Sequence, residues 1–372
     1  GEPVLGEVGE LVCAQPIPSM PLYFVGDTNN ARLLASYFEM YPPGHGRKPG
    51  GGDLGPEAHR FLEQLARAGQ RAWQVLPLGP TGYGDSPYQT ASVLAGNPIL
   101  VSPIAMHADG LLDSADLADL PASHALADYG AAQACRWRLF QRAADRLFSK
   151  GNDGNHMASL RRDFERYAEQ EAGWLDDFVL FAAIKEDQGF APWVAWPTSL
   201  RDRHPIALDS ARQRLADRIR VHALVQWLFE RQFRALRTAA QAAGVELIGD
   251  VPIFVAHDSV EVWRDRDQFL LSPDGRLRVQ AGVPPDYFSR TGQLWGNPLY
   301  DYGRMIDDGF TFWRRRVARA GALFDRVRID HFRGFAAHWE VPGDARTAEI
   351  GRWVPAPGAL LFKALQADPD TQ

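Results

Sequence analysis

Apolar residues recur at three-to-four spacing over residues 56–69, 158–184, 207–243 and 311–324, so the chain predicts amphipathic helices there. Between them lie shorter apolar or alternating runs over 72–78, 247–255 and 326–330, which predict strands, with a weaker strand near 22–25. Pro56 stands near the start of the first helix and Gly69 at its end. Turn residues crowd into 79–89, 151–155 and 191–206, and 256–310 is rich in loops. Helix, strand and long polar loop in succession is the grammar of an α/β barrel, with function on the loops after the strands. The long helical block between the strands at 72–78 and 247–255 reads as an insertion on such a barrel. The chain divides into 1–50 without assignment, 51–110 as the first part of a barrel, 111–245 as a mainly helical insertion, and 246–372 as barrel again.

Composition narrows the class. The 372 residues are 45% hydrophobic and 23% charged, typical of a globular enzyme with a sizeable core. The net charge is -6 and no basic stripe stands out, which disfavours nucleic acid as a partner. Cys13 and Cys135 are the only cysteines, too few for a disulfide framework or a cysteine metal site, so a reducing cytoplasm is expected. No apolar run spans a membrane and no secretory signal is visible.

The chemistry concentrates in two segments. Residues 325–335 read Asp-Arg-Val-Arg-Ile-Asp-His-Phe-Arg-Gly-Phe. Val327 and Ile329 alternate with Arg328 and Asp330, as in a half-buried strand, placing Asp330 at its carboxyl end with His331 just beyond. Barrel enzymes carry reactive groups there. Arg328, two residues back on the same face, favours an ionised carboxylate, which a nucleophile needs. A purely structural Arg-Asp pair has the same pattern. Residues 282–300 carry Tyr287, Phe288, Trp295 and Tyr300 among prolines and glycines, with Asp286, Gln293 and Asn297 beside the rings. A stiff aromatic loop suits a flat, polar ligand such as a glucan, and a loop folded onto its own aromatics is the alternative. No phosphate loop, dinucleotide fingerprint, zinc spacing or Gly-x-Ser-x-Gly elbow occurs, so no metal or cofactor is expected.

Several long words together resemble the 4-α-glucanotransferases (amylomaltases or disproportionating enzymes), glycoside hydrolase family 77 of the α-amylase clan. They are Trp73 through Gln89, Gly96-Asn97-Pro98, Asp250 through Ala256, Gly282 through Tyr300, and Val327 through Gly334. The resemblance implies a (β/α)8 barrel and transfer of α-1,4-glucan segments between maltooligosaccharides, with glucose as an acceptor, by a retaining double displacement. It belongs to starch, glycogen and maltodextrin metabolism and implies no cofactor. Asp330 matches the family's nucleophile and Arg328 the arginine that orients it. Asp250 matches the carboxylate of the clan's first conserved region. Tyr88 matches a tyrosine that stacks on the sugar at the cleavage site, and Tyr83 a glucan-contacting tyrosine of the same loop, which also carries Asp85. Trp295 and Asn297 lie on a lid-like loop, 282–300, over the acceptor side; Asp286 and His331 complete the expected substrate contacts.

The departures are equally specific. The family's acid/base Glu, in an Ala-Glu-Asp-Leu-Gly word, and its later His-Asp motif have no counterpart in these 372 residues, and Glu340 is too near Asp330 to serve. The family's His-Pro-Thr-Ser word is also missing ahead of Asp53-Leu54-Gly55. The chain therefore reads as a barrel incomplete at its C-terminus, expected to turn over maltotriose poorly and to associate through open strand edges. A glucan-binding remnant without catalysis and an α-glucan hydrolase of the same clan are the rival expectations.

Overall fold

In the computed structural model, residues 52–118, 120, 129–149 and 154–369 are described. The expected strand near 22–25 and the unassigned segment 1–50 lie outside them. Helix α1 (Pro56–Arg67) opens on a proline, carries Glu57 in its first turn and Arg67 in its last, and buries Leu62. Strand β1 follows but is only Ala72–Gln74. Its pairing ends where the Val75 amide donates to the Ile248 carbonyl at 2.9 Å, because Pro77 has no amide to continue the ladder.

Three long helices come next: α2 (Tyr129–Phe148), α3 (Asn155–Asp187) and α4 (Ala216–Ala242). The expected single run over 207–243 is in fact two helices, Pro205–Arg214 and α4, broken at buried Leu215. Helix α4 is almost apolar on its buried face, yet it buries Gln226 and Gln232. Each glutamine takes both polar groups of one backbone residue: Gln226 pairs with Gly96 at 2.7 and 2.9 Å, and Gln232 with Ser102 at 2.7 and 3.3 Å. Paired amides in a dry core are worth more than they cost, and these two fasten the loop after β1 to the helical layer.

Strand β2 (Glu246–Val251) stops at Pro252, short of the expected 255. It runs parallel to β1 on one side and to β5 (Arg326–Ile329) on the other, giving the order β1-β2-β5. Helix α5 (Thr311–Leu323) leads into β5. The expected alternation on β5 is not seen: Val327 is exposed and only Ile329 is half-buried. The cause is that among the described residues β5 is an outer strand, bordered by an open apolar cleft of about 410 Å³ that Val327, Ile329 and Phe362 help to line.

A second sheet overturns the expectation of a long loop over 282–300. Strands β3 (Val279–Val283) and β4 (Gln293–Pro298) form a hairpin, and β6 (Ala337–Pro342) and β7 (Arg352–Pro355) extend it in the antiparallel order β4-β3-β6-β7. Prolines and glycines hid this hairpin; they lie at its turn and at its irregularity, where the register shifts between Gln280 and Gly282. Helix α6 (Gly358–Gln366) closes the described chain. Among the described residues no helix is long and apolar enough to cross a membrane. Most tryptophans serve the core: Trp193, Trp263 and Trp313 are fully buried.

Candidate active site

Asp250 on β2 and Arg328 on β5 are register partners, so their side chains leave the same face of the sheet. One guanidinium then serves two carboxylates. Arg328 Nη1 donates to Asp250 Oδ1 at 2.7 Å, and its Nη2 donates to Asp330 Oδ1. Those bonds, the one to Asp330 first, raise the Arg328 pKa further above its ordinary value.

The carboxylates differ in what is left over. The Asp250 side chain is 0% exposed, and its second oxygen accepts from the Tyr88 hydroxyl at 2.7 Å. Both of its oxygens are engaged. The Asp330 side chain is 37% exposed and Arg328 holds its Oδ1. Burial, then the hydrogen bond to Asp250, pushes the Tyr88 hydroxyl up to about 12. Tyr88 therefore keeps its proton across the physiological range and stays a donor.

Tyr88 is delivered by the loop after β1. Gly82 N donates to Gln89 O at 2.7 Å, and Thr90 Oγ1 donates to the carbonyls of Pro80 and Ser92 at 2.8 and 2.7 Å. Below it, Glu261 is buried and its Oε1 accepts from Ser92 Oγ at 2.7 Å and Val93 N at 3.1 Å. Burial pushes the Glu261 carboxyl up. Gln89, which sequence reasoning did not single out, ties this loop to β4: its Nε2 donates to Trp295 O at 3.3 Å and lies 3.5 Å from Asn297 Oδ1. Asn297 Nδ2 donates to Val255 O at 2.9 Å. Only the spatial approach of β4 to this loop gives Gln89 its role, and no local pattern marks it.

His331 follows Asp330 in the left-handed region, φ 49°, and its ring meets Trp295 edge to face at 4.9 Å. Burial lowers the His331 pKa from 6.5, favouring the neutral imidazole. Asp330, Arg328, Asp250, Tyr88, Trp295, Asn297 and His331 thus form one continuous cluster. Tyr83 and Asp85 lie in the short turn Tyr83–Asp85 of the same loop. Asp286 is at the hairpin tip, where its Oδ1 accepts from Phe288 N and Ser289 N at 2.9 and 2.8 Å. Tyr287 and Phe288 beside it are each 89% exposed. Glu340 lies on β6 and pairs with Arg352 at 2.6 Å.

A family model described as 4-alpha-glucanotransferase matches residues 45–371. The chain belongs to the 4-alpha-glucanotransferase family. It is 48% identical to the 4-alpha-glucanotransferase of Thermus thermophilus over 317 residues, covering 85% of this chain and 62% of that protein. It is 42% identical over 320 residues to the chloroplastic/amyloplastic 4-alpha-glucanotransferase of Solanum tuberosum, covering 84% of this chain and 54% of that one. Among solved structures it resembles the amylomaltase from Streptococcus agalactiae in complex with acarbose, with a TM-score of 0.81 and 34% identity, covering 87% of this chain and 65% of that one. The fold is therefore the α/β barrel type, with three parallel strands among the described residues. The chain spans roughly three-fifths of the length of the 4-alpha-glucanotransferase from Thermus.

Proposed function

We propose that this chain carries the nucleophile and the glucan-binding surface of a retaining 4-α-glucanotransferase, with Asp330 as the nucleophile. The observation that supports this choice is the unequal state of the two carboxylates on Arg328: the Asp250 side chain has both oxygens engaged and no exposure, whereas that of Asp330 is partly exposed with Oδ1 held. Arg328 fixes Oδ1 and leaves Oδ2 to attack the anomeric carbon. Bond formation from Oδ2 breaks the bond to the leaving oxygen, which must take up a proton, and gives a covalent glycosyl-enzyme, which an acceptor hydroxyl then opens as it gives up its own proton. The cluster around Asp330 is assigned the attack, and the proton is exchanged with solvent or with an acid outside this cluster. Asp250 acts as a buried anchor that holds Arg328 and Tyr88, so the Tyr88 ring and the Asp330 carboxylate are fixed relative to each other.

The substrates follow from the same surface. Tyr88, Trp295 and His331 offer ring faces and edges around Asp330, which suits the flat C–H faces of α-1,4-linked glucose. α-1,4-Glucans and maltooligosaccharides are the donors, and maltooligosaccharides or glucose the acceptors, in starch, glycogen or maltodextrin turnover. The compartment is the cytoplasm, which suits a chain whose only cysteines are Cys13 and Cys135. Treating the chain with a 5-fluoro glucosyl fluoride and mapping the modified peptide tests the assignment. The label is expected on Asp330, and a label on another carboxylate, or none, overturns it.

A further inference from the structure

The loop that follows Asp330 is held from two sides by the two outermost strands of the antiparallel sheet. From β4, Trp295 packs on His331. From β7, Trp353 lies under Arg333, whose guanidinium carbon is 3.8 Å from the ring centroid. Trp353 is itself braced: its register partner Trp339 on β6 meets it edge to face at 5.4 Å, and Trp339 Nε1 donates to Ala348 O at 2.9 Å. Ala348 N in turn donates to Thr291 O, in the tip of the β3–β4 hairpin, at 3.0 Å.

The loop needs such support. β5 is a short, exposed outer strand, and the residue after Asp330 is a histidine in the left-handed region, a conformation that persists only when its surroundings impose it. Among the described residues its internal backbone bonds are short-range: Gly334 N donates to His331 O at 2.8 Å and Ala336 N to Arg333 O at 2.9 Å. We infer that the Arg333–Trp353 stack is a positioning device, which holds the His331–Gly334 turn and thereby the attack angle of Asp330, and that it links the hairpin tip to the nucleophile. Trp353 and Arg333 are positioning residues. The inference rests on the reading of Asp330 as nucleophile.

The test uses the whole chain and an activated donor, α-maltosyl fluoride, with amide hydrogen exchange alongside. Trp353→Ala removes the ring. Arg333→Lys keeps the charge but cannot stack a flat fork, so it decides the matter if Trp353→Ala folds poorly. Both are expected to slow glycosylation of Asp330 by about ten- to a hundredfold with an unchanged KM for the donor, the size expected of a misplaced nucleophile. Both should speed exchange at His331–Gly334 and leave β2 amides unchanged, and Trp353→Phe should restore both readouts. Glycosylation and exchange at wild-type levels in Arg333→Lys would overturn the inference, as would faster exchange throughout β2, which marks a general loss of stability. A wild-type chain that never labels at Asp330 would overturn the functional reading instead, while exchange at His331–Gly334 still decides whether the stack orders the turn.

Discussion

Asp250 and Arg328 face each other across β2 and β5, and the 2.7 Å bond between them joins residues 78 apart in sequence. The pairing sets the direction of the guanidinium, which can then reach Asp330 with its second nitrogen. A flat fork with two donors is required, because one nitrogen serves Asp250 on β2 and the other Asp330 in the turn after β5.

Arg328→Lys should therefore lose one of the two bonds while keeping the charge. The expected result is a loss of about a hundredfold in the rate at which a 5-fluoro glucosyl fluoride labels the chain, from misorientation of the nucleophile. The thermal midpoint should fall only modestly, since the lysine keeps a positive charge beside the Asp250 carboxylate, whose side chain is fully buried while that of the arginine is 43% exposed. Labelling at the wild-type rate would show that charge alone suffices.

Gly249 precedes Asp250 on β2, and a Cβ there would lie 2.1 Å from Cδ2 of the Phe324 ring. Gly249→Ala should destabilise the chain by about 1–3 kcal/mol through overpacking. Phe324 is buried, so the ring has little room to move. Calorimetry of Gly249→Ala alone and combined with Phe324→Leu checks this: the double variant should recover part of the loss, and equal melting of the single variant and wild type would refute the steric account.

Much of the candidate site's arrangement was legible in the sequence because it depends on strand ends. The spacing of Arg328 on one strand from Asp330 just past its end, and the position of Asp250 near the end of another, are local patterns that the parallel ladder leaves in place. The antiparallel sheet was not legible. Pro284, Pro285 and Gly292 signal a loop, whereas their role is to turn a hairpin, and β6, with β7 paired to it, joins that hairpin only through β3, far earlier in the sequence. Gln89, Arg333 and Trp353 were missed for the same reason: each gains its partner from an element that folds against it, and nothing local marks the meeting. The exposure of Val327 was hidden because alternation shows which residues share a face and says nothing of whether a neighbour covers it.

Acid should weaken the fold. Burial lowers the pKa of His257, His331 and His338 below 6.5. A histidine depressed in the folded state binds fewer protons there than in the unfolded chain, so stability falls as pH drops below about 6.5. His338 is buried on β6, and among the described residues neither ring nitrogen has a hydrogen-bond partner. His338→Phe should flatten the slope of thermal midpoint against pH between pH 6.5 and the acid limit of folding. An unchanged slope would assign the acid sensitivity to His257, His331 or the carboxylates.

Trp295 packs on His331 and its carbonyl holds Gln89, so its ring borders the space beside Asp330. Trp295→Ala should let water compete with the acceptor. With α-maltosyl fluoride as donor and maltose as acceptor, the share of maltose released by hydrolysis should rise relative to longer oligosaccharides. A constant ratio would mean that the ring serves only to pack the loop.

The choice of donor should separate attack from proton transfer. The 372 residues contain no Ala-Glu-Asp-Leu-Gly word, and Glu340, the carboxylate nearest in sequence after Asp330, is on the antiparallel sheet and committed to Arg352 at 2.6 Å. Asp250 is unsuited to donate, since both of its oxygens accept hydrogen bonds. Fluoride leaves an anomeric carbon without a proton, whereas a sugar oxygen needs one, and a positioned acid typically contributes about 10²- to 10⁴-fold. This chain should therefore release fluoride from α-maltosyl fluoride readily and disproportionate maltotriose slower by a factor in that range. Fluoride release and glucose release, followed on one preparation, give the comparison. Maltotriose turnover as fast as fluoride release would show that a carboxylate within these residues supplies the proton, and Glu340→Gln and Asp250→Asn would then be the variants that identify it.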